Sequence, residues 1–501
     1  MTNPLRRFTL CTALGLMLLM GACDFSDLNE DPNSPTNVTD PLQLSALLAS
    51  FSYEVIGNEP ARTPAMWMQQ LAANAQPLTE DNYDLTSTDV NNLWEFTSYT
   101  NVMNNARDLD QRATENGNTA YAAIAKTIYA FNLGVATDLW GDIPFSEAFD
   151  PLNTQPAFDA QEDVYAGVFD LLNQAITDFG ANSVQTPGGD DLLYGGDLQK
   201  WERLAHTLLA RFHMRLANAP GNSAADRAQQ ALDALQNGFQ SNADDADFQY
   251  LDEVGSENPW YQFTIDSKWV VSRQLSKHYV DLLKTRQDPR LMVQARQVGA
   301  VTSAGVVAGF TPDPITPVVF DLNDSTYVGH TNGQSGTRIE DISSIGTFYS
   351  AAGASLTWIS YAEAKFIEAE ATFITQGAAA ADPIYRAAIT ASMDKLGIDA
   401  ADRDDYLASR PALTAGTAME AILTEKYIAN FLSLENFNDW RRTGFPTLTP
   451  VTNRPQTPSG IIPVRYPYPQ SELSTNSASV DATGVPAGFA ALETPVWWDA
   501  N

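Results

Sequence analysis

Apolar side chains recur along most of this chain at the spacing of a helix face. Ile124, Ile128, Phe131 and Val135 fall at i, i+4, i+7 and i+11, one stripe of a 3.6-residue repeat. Ile359, Ala362, Phe366, Ala369 and Phe373 form a second stripe; Tyr385, Ile389, Ser392 and Leu396 form a third. Gly397 is placed to end the third helix, because glycine takes the left-handed closing turn without steric cost. Segments 163–179, 201–217 and 419–434 read as further helices. The helices fall in pairs. The pattern therefore predicts a mainly α scaffold of helical hairpins like tetratricopeptide repeats, although no consensus repeat signature is present.

Stretches rich in Gly, Pro and Asn interrupt the helices at 183–196, 299–346 and 443–501. Loops of that length inside a compact body are usually functional. Segments 301–307 and 317–320 are predicted as short strands. No linker divides residues 40–501, which read as one body with a long-loop face.

The N-terminus has a different pattern. Arg6 and Arg7 precede an apolar run from Leu10 to Met20, then Gly21, Ala22 and Cys23. The run is shorter than the roughly 20 residues needed to span a bilayer, and it has the layout of a secretory signal. Small residues before Cys23 resemble a bacterial lipobox, with Met20 where Leu is usual. Residues 1–22 are thus predicted as a lipoprotein signal peptide and 23–39, rich in Asp, Asn, Ser and Pro, as a flexible tether. The competing reading is an ordinary signal peptide with Cys23 incidental. Cys11 and Cys23 are the only cysteines, so cleavage before Cys23 leaves no possible internal disulfide.

Charge narrows the function. The chain has 29 basic and 61 acidic residues, a net charge of −32. That argues against nucleic acid, whose binding requires Lys and Arg on phosphates, and against a polyanionic ligand. An acidic, lysine-poor surface also resembles proteins of high-salt habitats, where self-repulsion is screened; GC-rich codon bias is the alternative.

Catalytic signatures are missing. The four histidines, His206, His213, His278 and His330, form no HExxH, and no cysteine beyond the lipid-anchor candidate Cys23 remains to complete a zinc site. There is no G-x-S-x-G, phosphate loop or dinucleotide fingerprint. Carboxylate pairs such as Asp190/Asp191 and Asp244/Asp245 are uninformative in so acidic a chain. Asp321, Asn323 and Ser325 alternate as in a calcium loop, but Thr326 holds the glycine position and no Glu closes it. No cofactor is predicted, with calcium a weak exception, and the chain reads as a binding protein rather than an enzyme.

Aromatic residues offer a ligand chemistry. Trp67, Tyr83, Trp94 and Tyr99 cluster early; Trp260, Tyr261 and Trp269 cluster in the middle. Flat rings beside amides and charges suit a sugar, whose C–H faces stack while its hydroxyls hydrogen-bond. Any single tryptophan is more often core. Trp260 and Tyr261 adjoin Pro259 outside any helical stripe, so they are expected as an exposed binding pair. Trp67, Tyr83 or Trp94 would face them, with Asn332 from the Gly-rich loop.

An ordered set of motifs resembles the SusD/RagB family of outer-membrane nutrient-binding lipoproteins. It comprises Leu28–Asn33, Asp138–Ala148 (DLWGDIPFSEA), Trp201–Leu216, Asn258–Tyr261 and Tyr327–Gly333. Tyr361–Glu363, Glu368–Ala371, Trp440–Pro446, Arg465–Pro469, Glu472–Asn476 and Trp497–Asp499 follow. The resemblance implies a scaffold with four tetratricopeptide-like units. It also implies a lipid-anchored protein at the cell surface, capping a SusC-like TonB-dependent outer-membrane transporter. Glycans, sometimes peptides, are the implied ligands, without catalysis. Trp140 and Trp440 would be helix-packing anchors, and Arg441 and Arg442 salt-bridging or capping groups.

Overall fold

The computed structural model describes residues 38–75, 79–266, 272–452 and 460–499. Cys23, the signal segment, nearly all of the tether and Trp269 lie outside the described residues.

The body opens with α1 (Asp40–Ser50), which runs into a π-helical turn, and α2 (Glu59–Trp67). Then come α3 (Asn105–Glu115) and α4 (Thr119–Trp140), joined through Gly117 at φ +72°. α4 is apolar on all sides and buried along nearly its whole length, the state expected of a helix with no polar face. α5 (Gln161–Phe179) packs along it. α6 (Leu198–Arg215) follows, its N-terminus capped by Asp197, which accepts from the backbone of Gln199 and Lys200. At Gly134 the Phe212 ring of α6 comes so close to α4 that a Cβ would lie 2.5 Å from it.

α6 pairs with α7 (Ala224–Leu235). Beyond the loops come α8 (Pro259–Thr264) and α9 (Lys277–Arg286). α10 (Tyr361–Gln376) and α11 (Ala378–Lys395) form the next hairpin, and α12 (Ala400–Ser409) and α13 (Ala418–Ala429) continue the array. The predicted stripes are buried except at Phe373, which is only partly buried near the end of its helix, and Gly397 sits at φ +67° as expected. The helix predicted to run to residue 434 stops at Ala429, and Leu432 takes φ +68°.

Strands are few and short. β1 (Leu71–Ala73) pairs antiparallel with β3 (Arg273–Leu275), and β2 (Asp247–Gln249) with β6 (Ser355–Thr357). The predicted 301–307 strand is a tight ribbon of β4 (Val301–Thr302) and β5 (Gly305–Val306). Residues 317–320 form no strand. The Gln287 side chain takes both backbone groups of Phe320 instead, at 2.7 and 2.8 Å.

A buried ionic network ties the hairpins together at α14 (Glu435–Thr443). Arg211 grips Glu363 at 2.8 and 2.9 Å; Arg215 pairs with Asp138 and, at 2.6 Å, with Glu435. Arg442 reaches Glu370 and Asp439, and Lys426 meets Asp439 at 2.7 Å. Against the pull of burial, Lys426 and Arg442 hold the Asp439 carboxyl down to about 2. Buried charge persists only when paired and hydrogen-bonded in this way. Arg441 donates to the carbonyls of Asp138 and Val464, each at 2.8 Å, and stacks on Phe437 and Trp498. Trp140 is fully buried, with its indole N–H on the Pro467 carbonyl at 3.0 Å. Trp440 packs from the rim of the core.

Candidate ligand-binding face

Several loops meet at the Ala73/Arg273 end of the β1–β3 ribbon. The Asn74 backbone N–H donates to the Ser272 carbonyl at 3.0 Å. Its side chain donates to the Thr337 carbonyl at 2.8 Å and accepts from the Thr337 N–H at 3.1 Å. Below this junction lies the fully buried Asp81. It accepts from the backbone of Ala73 and Gly333 at 3.2 and 2.7 Å, and from Asn332 Nδ2 at 2.6 Å. Burial pushes its carboxyl up to about 7 despite these donors.

Three of the residues singled out in the sequence belong to this junction. Asn332 also donates to the Leu71 carbonyl at 2.9 Å and accepts from Ser276 Oγ at 2.6 Å. Its amide is therefore committed to pinning the Gly-rich loop. Trp67 is buried, its indole N–H on the Glu80 carbonyl at 3.0 Å, its ring edge-on to Phe437 and Tyr466. Tyr83, at φ +59°, accepts from the Val451 N–H at 3.2 Å through its hydroxyl. These side chains support the face from beneath.

The expected exposed pair is corrected. Trp260 is only 1% exposed. Pro259 begins α8 rather than breaking a helix, the position that suits its fixed φ and missing N–H. Asn258 caps that helix by accepting from the Trp260 N–H at 2.7 Å. The indole is turned inward, lining an internal cavity of about 80 Å³ with Phe131, Trp358 and Phe431. Tyr261 is half-buried against Ile265, Val301 and Ile339. Trp94 lies elsewhere, edge-on to Trp140 at 5.1 Å.

Sequence reasoning missed two parts of the face. Near the junction, Arg62 stacks over Phe263 at 3.9 Å and pairs with Glu59, while Arg273 pairs with Glu80. In the long loop, a groove of about 420 Å³ is lined by Phe310, Tyr327, Phe348, Arg296 and Gln297. Phe348 is 40% exposed. Arg296 Nε donates to the Ile345 carbonyl at 3.1 Å, and burial pulls its pKa below the usual arginine range. Stacking rings beside amide and guanidinium donors match what a sugar offers. The flagged 299–346 loop was the available signal; nothing in the pattern singled out Arg296.

The family described as "Starch-binding associating with outer membrane" matches residues 32–469. The chain belongs to the SusD-like family. This SusD-like chain is 26% identical to a solved chitin-binding protein, covering 92% of this chain and 100% of that one at a TM-score of 0.77. A SusD/RagB family protein from Bacteroides thetaiotaomicron aligns at 22% identity, over 93% of this chain and 100% of that one, TM-score 0.74. A chitin-binding SusD homolog from Flavobacterium johnsoniae aligns at 21%, over 92% and 99%, TM-score 0.73. No curated protein matches.

Five of the eleven SusD-like motif segments carry the ionic network, while Tyr327–Gly333 belongs to the loops. Asp138, Arg211, Arg215, Glu363, Glu370, Arg441 and Arg442 all belong to the network. The histidines are held structurally where their contacts are clear: His213 stacks on Phe169 at 4.6 Å, and His330 contacts the Gln334 carbonyl at 2.9 Å. Asp321 accepts from the backbone of Asn323 at 2.8 Å, closing its own turn. Among the described residues no cluster of His, Cys, Asp and Glu could hold a metal, and no helix is long and apolar enough to cross a membrane.

Proposed function

We propose that this protein binds glycan at its loop face and delivers it to a SusC-like TonB-dependent transporter. A lipid on Cys23 would hold it at the cell surface, on the outer membrane. The groove formed by Phe310, Tyr327 and the half-open Phe348 carries the reading. Family membership and the chitin-binding relatives support it. The protein would present its ligand without cleaving it. Arg296, with no carboxylate partner among the described residues, favours a peptide as the second reading, since a peptide carboxylate would pair with it.

Affinity electrophoresis and calorimetry across chitin, starch and other glycans, with a peptide panel beside them, test this. Phe348→Ala with Phe310→Ala should weaken glycan binding at least tenfold, about 1.4 kcal/mol or more. Binding that is indifferent to both changes, or release of reducing ends from a bound glycan, would refute the assignment. Arg296→Gln should weaken a peptide that carries a carboxylate far more than a glycan, whose hydroxyls the glutamine amide can still meet.

A further inference from the structure

A second groove, of about 450 Å³, shares no lining residue with the loop-built one. Its volume is within the range of about 300–1,000 Å³ usual for small-ligand sites. Trp94, 3% exposed, lies at its back, and Phe96, 52% exposed, at its mouth. Tyr99 tilts against Trp94 at 5.0 Å and Phe149 continues the wall, 6.1 Å from Tyr99.

The charge of this groove is one-sided. Glu95 and Glu472 line it and, among the described residues, no Lys or Arg does; Arg107 stacks over Phe149 at 5.4 Å without joining the lining. The hydrogen-bond donors to Glu472 are neutral, the Trp94 indole N–H and the Asn476 amide, each at 3.2 Å. Burial holds its carboxyl above the usual range, and the Glu95 charge adds to that effect. A half-buried carboxylate without a cation is costly, and a cation arriving with a ligand would relieve it. Aromatic faces attract ammonium groups as well as sugar C–H faces. The net charge of −32 attracts cations at long range.

We propose that this groove is a second glycan site, selective for sugars that carry a protonated amine, such as glucosamine units of a deacetylated glycan. The site adds to the loop face and takes a different chemistry. The sugar ring stacks on Phe96 and Tyr99 while its ammonium group sits between Glu95 and Glu472.

The test is calorimetry of the purified protein at about pH 6, where such an amine is protonated. The probes are a glucosamine hexamer and its N-acetylated counterpart. Phe96→Ala, and separately the pair Glu95→Gln and Glu472→Gln, should each weaken the glucosamine oligomer about tenfold. Molar NaCl should remove the preference. The neutral oligomer should respond to Phe348→Ala and not to these changes. Phe96 is exposed and both Gln variants keep side-chain volume, so unchanged melting curves are expected and certify the comparison. If the glucosamine oligomer does not bind the wild type, or binds every variant equally well, the groove is not this site. The loop-face reading would survive that outcome, because it rests on the neutral ligand.

Discussion

Replacing Trp260 by alanine separates the structure from the expectation that its ring is exposed. The side chain is 1% exposed and lines an 80 Å³ cavity beside Phe131, Trp358 and Phe431. A buried tryptophan removes roughly 150–250 Å² from water, at ~25 cal/mol/Å² an upper limit of about 4–6 kcal/mol. Substitutions of this kind cost about 3–5 kcal/mol, because neighbours collapse only partly into the space. The existing cavity leaves little material nearby to fill the void, which favours the upper end. With ~2.1 cal/mol/K per residue over roughly 460 residues, unfolding entropy is about 1 kcal/mol/K. Trp260→Ala should therefore lower Tm by about 3–5 °C in differential scanning calorimetry. It should leave Kd for a loop-face glycan within about threefold, under 1 kcal/mol. A variant that melts within a degree of the parent yet loses its ligand would show that the ring meets the ligand, and the inward assignment would be wrong.

Glu370→Gln removes one of the carboxylates paired with the buried Arg442 and should destabilise by about 3 kcal/mol in urea titration. The double change Glu370→Leu, Arg442→Met should cost less than the single one; equal costs would mean the pair is not acting as a unit. Asp81, pushed up to about 7 by burial, holds its proton in the folded state while the unfolded chain ionises near its ordinary value. Stability should thus fall as pH rises through that window, and Asp81→Asn should flatten the slope; parallel pH curves for the two proteins would refute this. Cys23→Ala should move the protein from the membrane to the soluble fraction, and unchanged fractionation would remove the anchor. Molar NaCl should raise Tm by screening the −32 charge; a flat curve would dismiss salt adaptation.

The helices were legible because burial leaves a 3.6-residue trace in apolar residues, as at Ile124, Ile128, Phe131 and Val135. Trp260 was misread because α8 spans only Pro259–Thr264, too short for a period to show, so its proline looked like a break rather than a start. Asn332 was expected to orient the ligand, and its amide instead pins the Gly-rich loop. Its partner Asp81 is 251 residues away, and no local pattern reports such a contact.

The loop-built groove was hidden for a related reason. Met292, Phe310, Tyr327 and Phe348 come together without sharing any periodic element. Sequence therefore flagged the segment through its length and composition, and could not choose among its residues.

The ionic network shows the opposite relation between pattern and place. Arg211, Arg215, Glu363 and Glu435 each resemble charges on a solvated helix face, and each is at most 5% exposed. Arg211, Arg215 and Glu363 stood out only as parts of the ordered motifs, and Glu435 lies outside them. The structure explains the set: each charge needs its partner on another helix, so α4, α6, α10, α13 and α14 are joined by the same pairs. A site built on such a frame can change its loop residues, and hence its ligand, without disturbing the charges that hold the helices together. The charged motifs thus mark the fold, while the loop motif Tyr327–Gly333 reaches the binding groove through Tyr327.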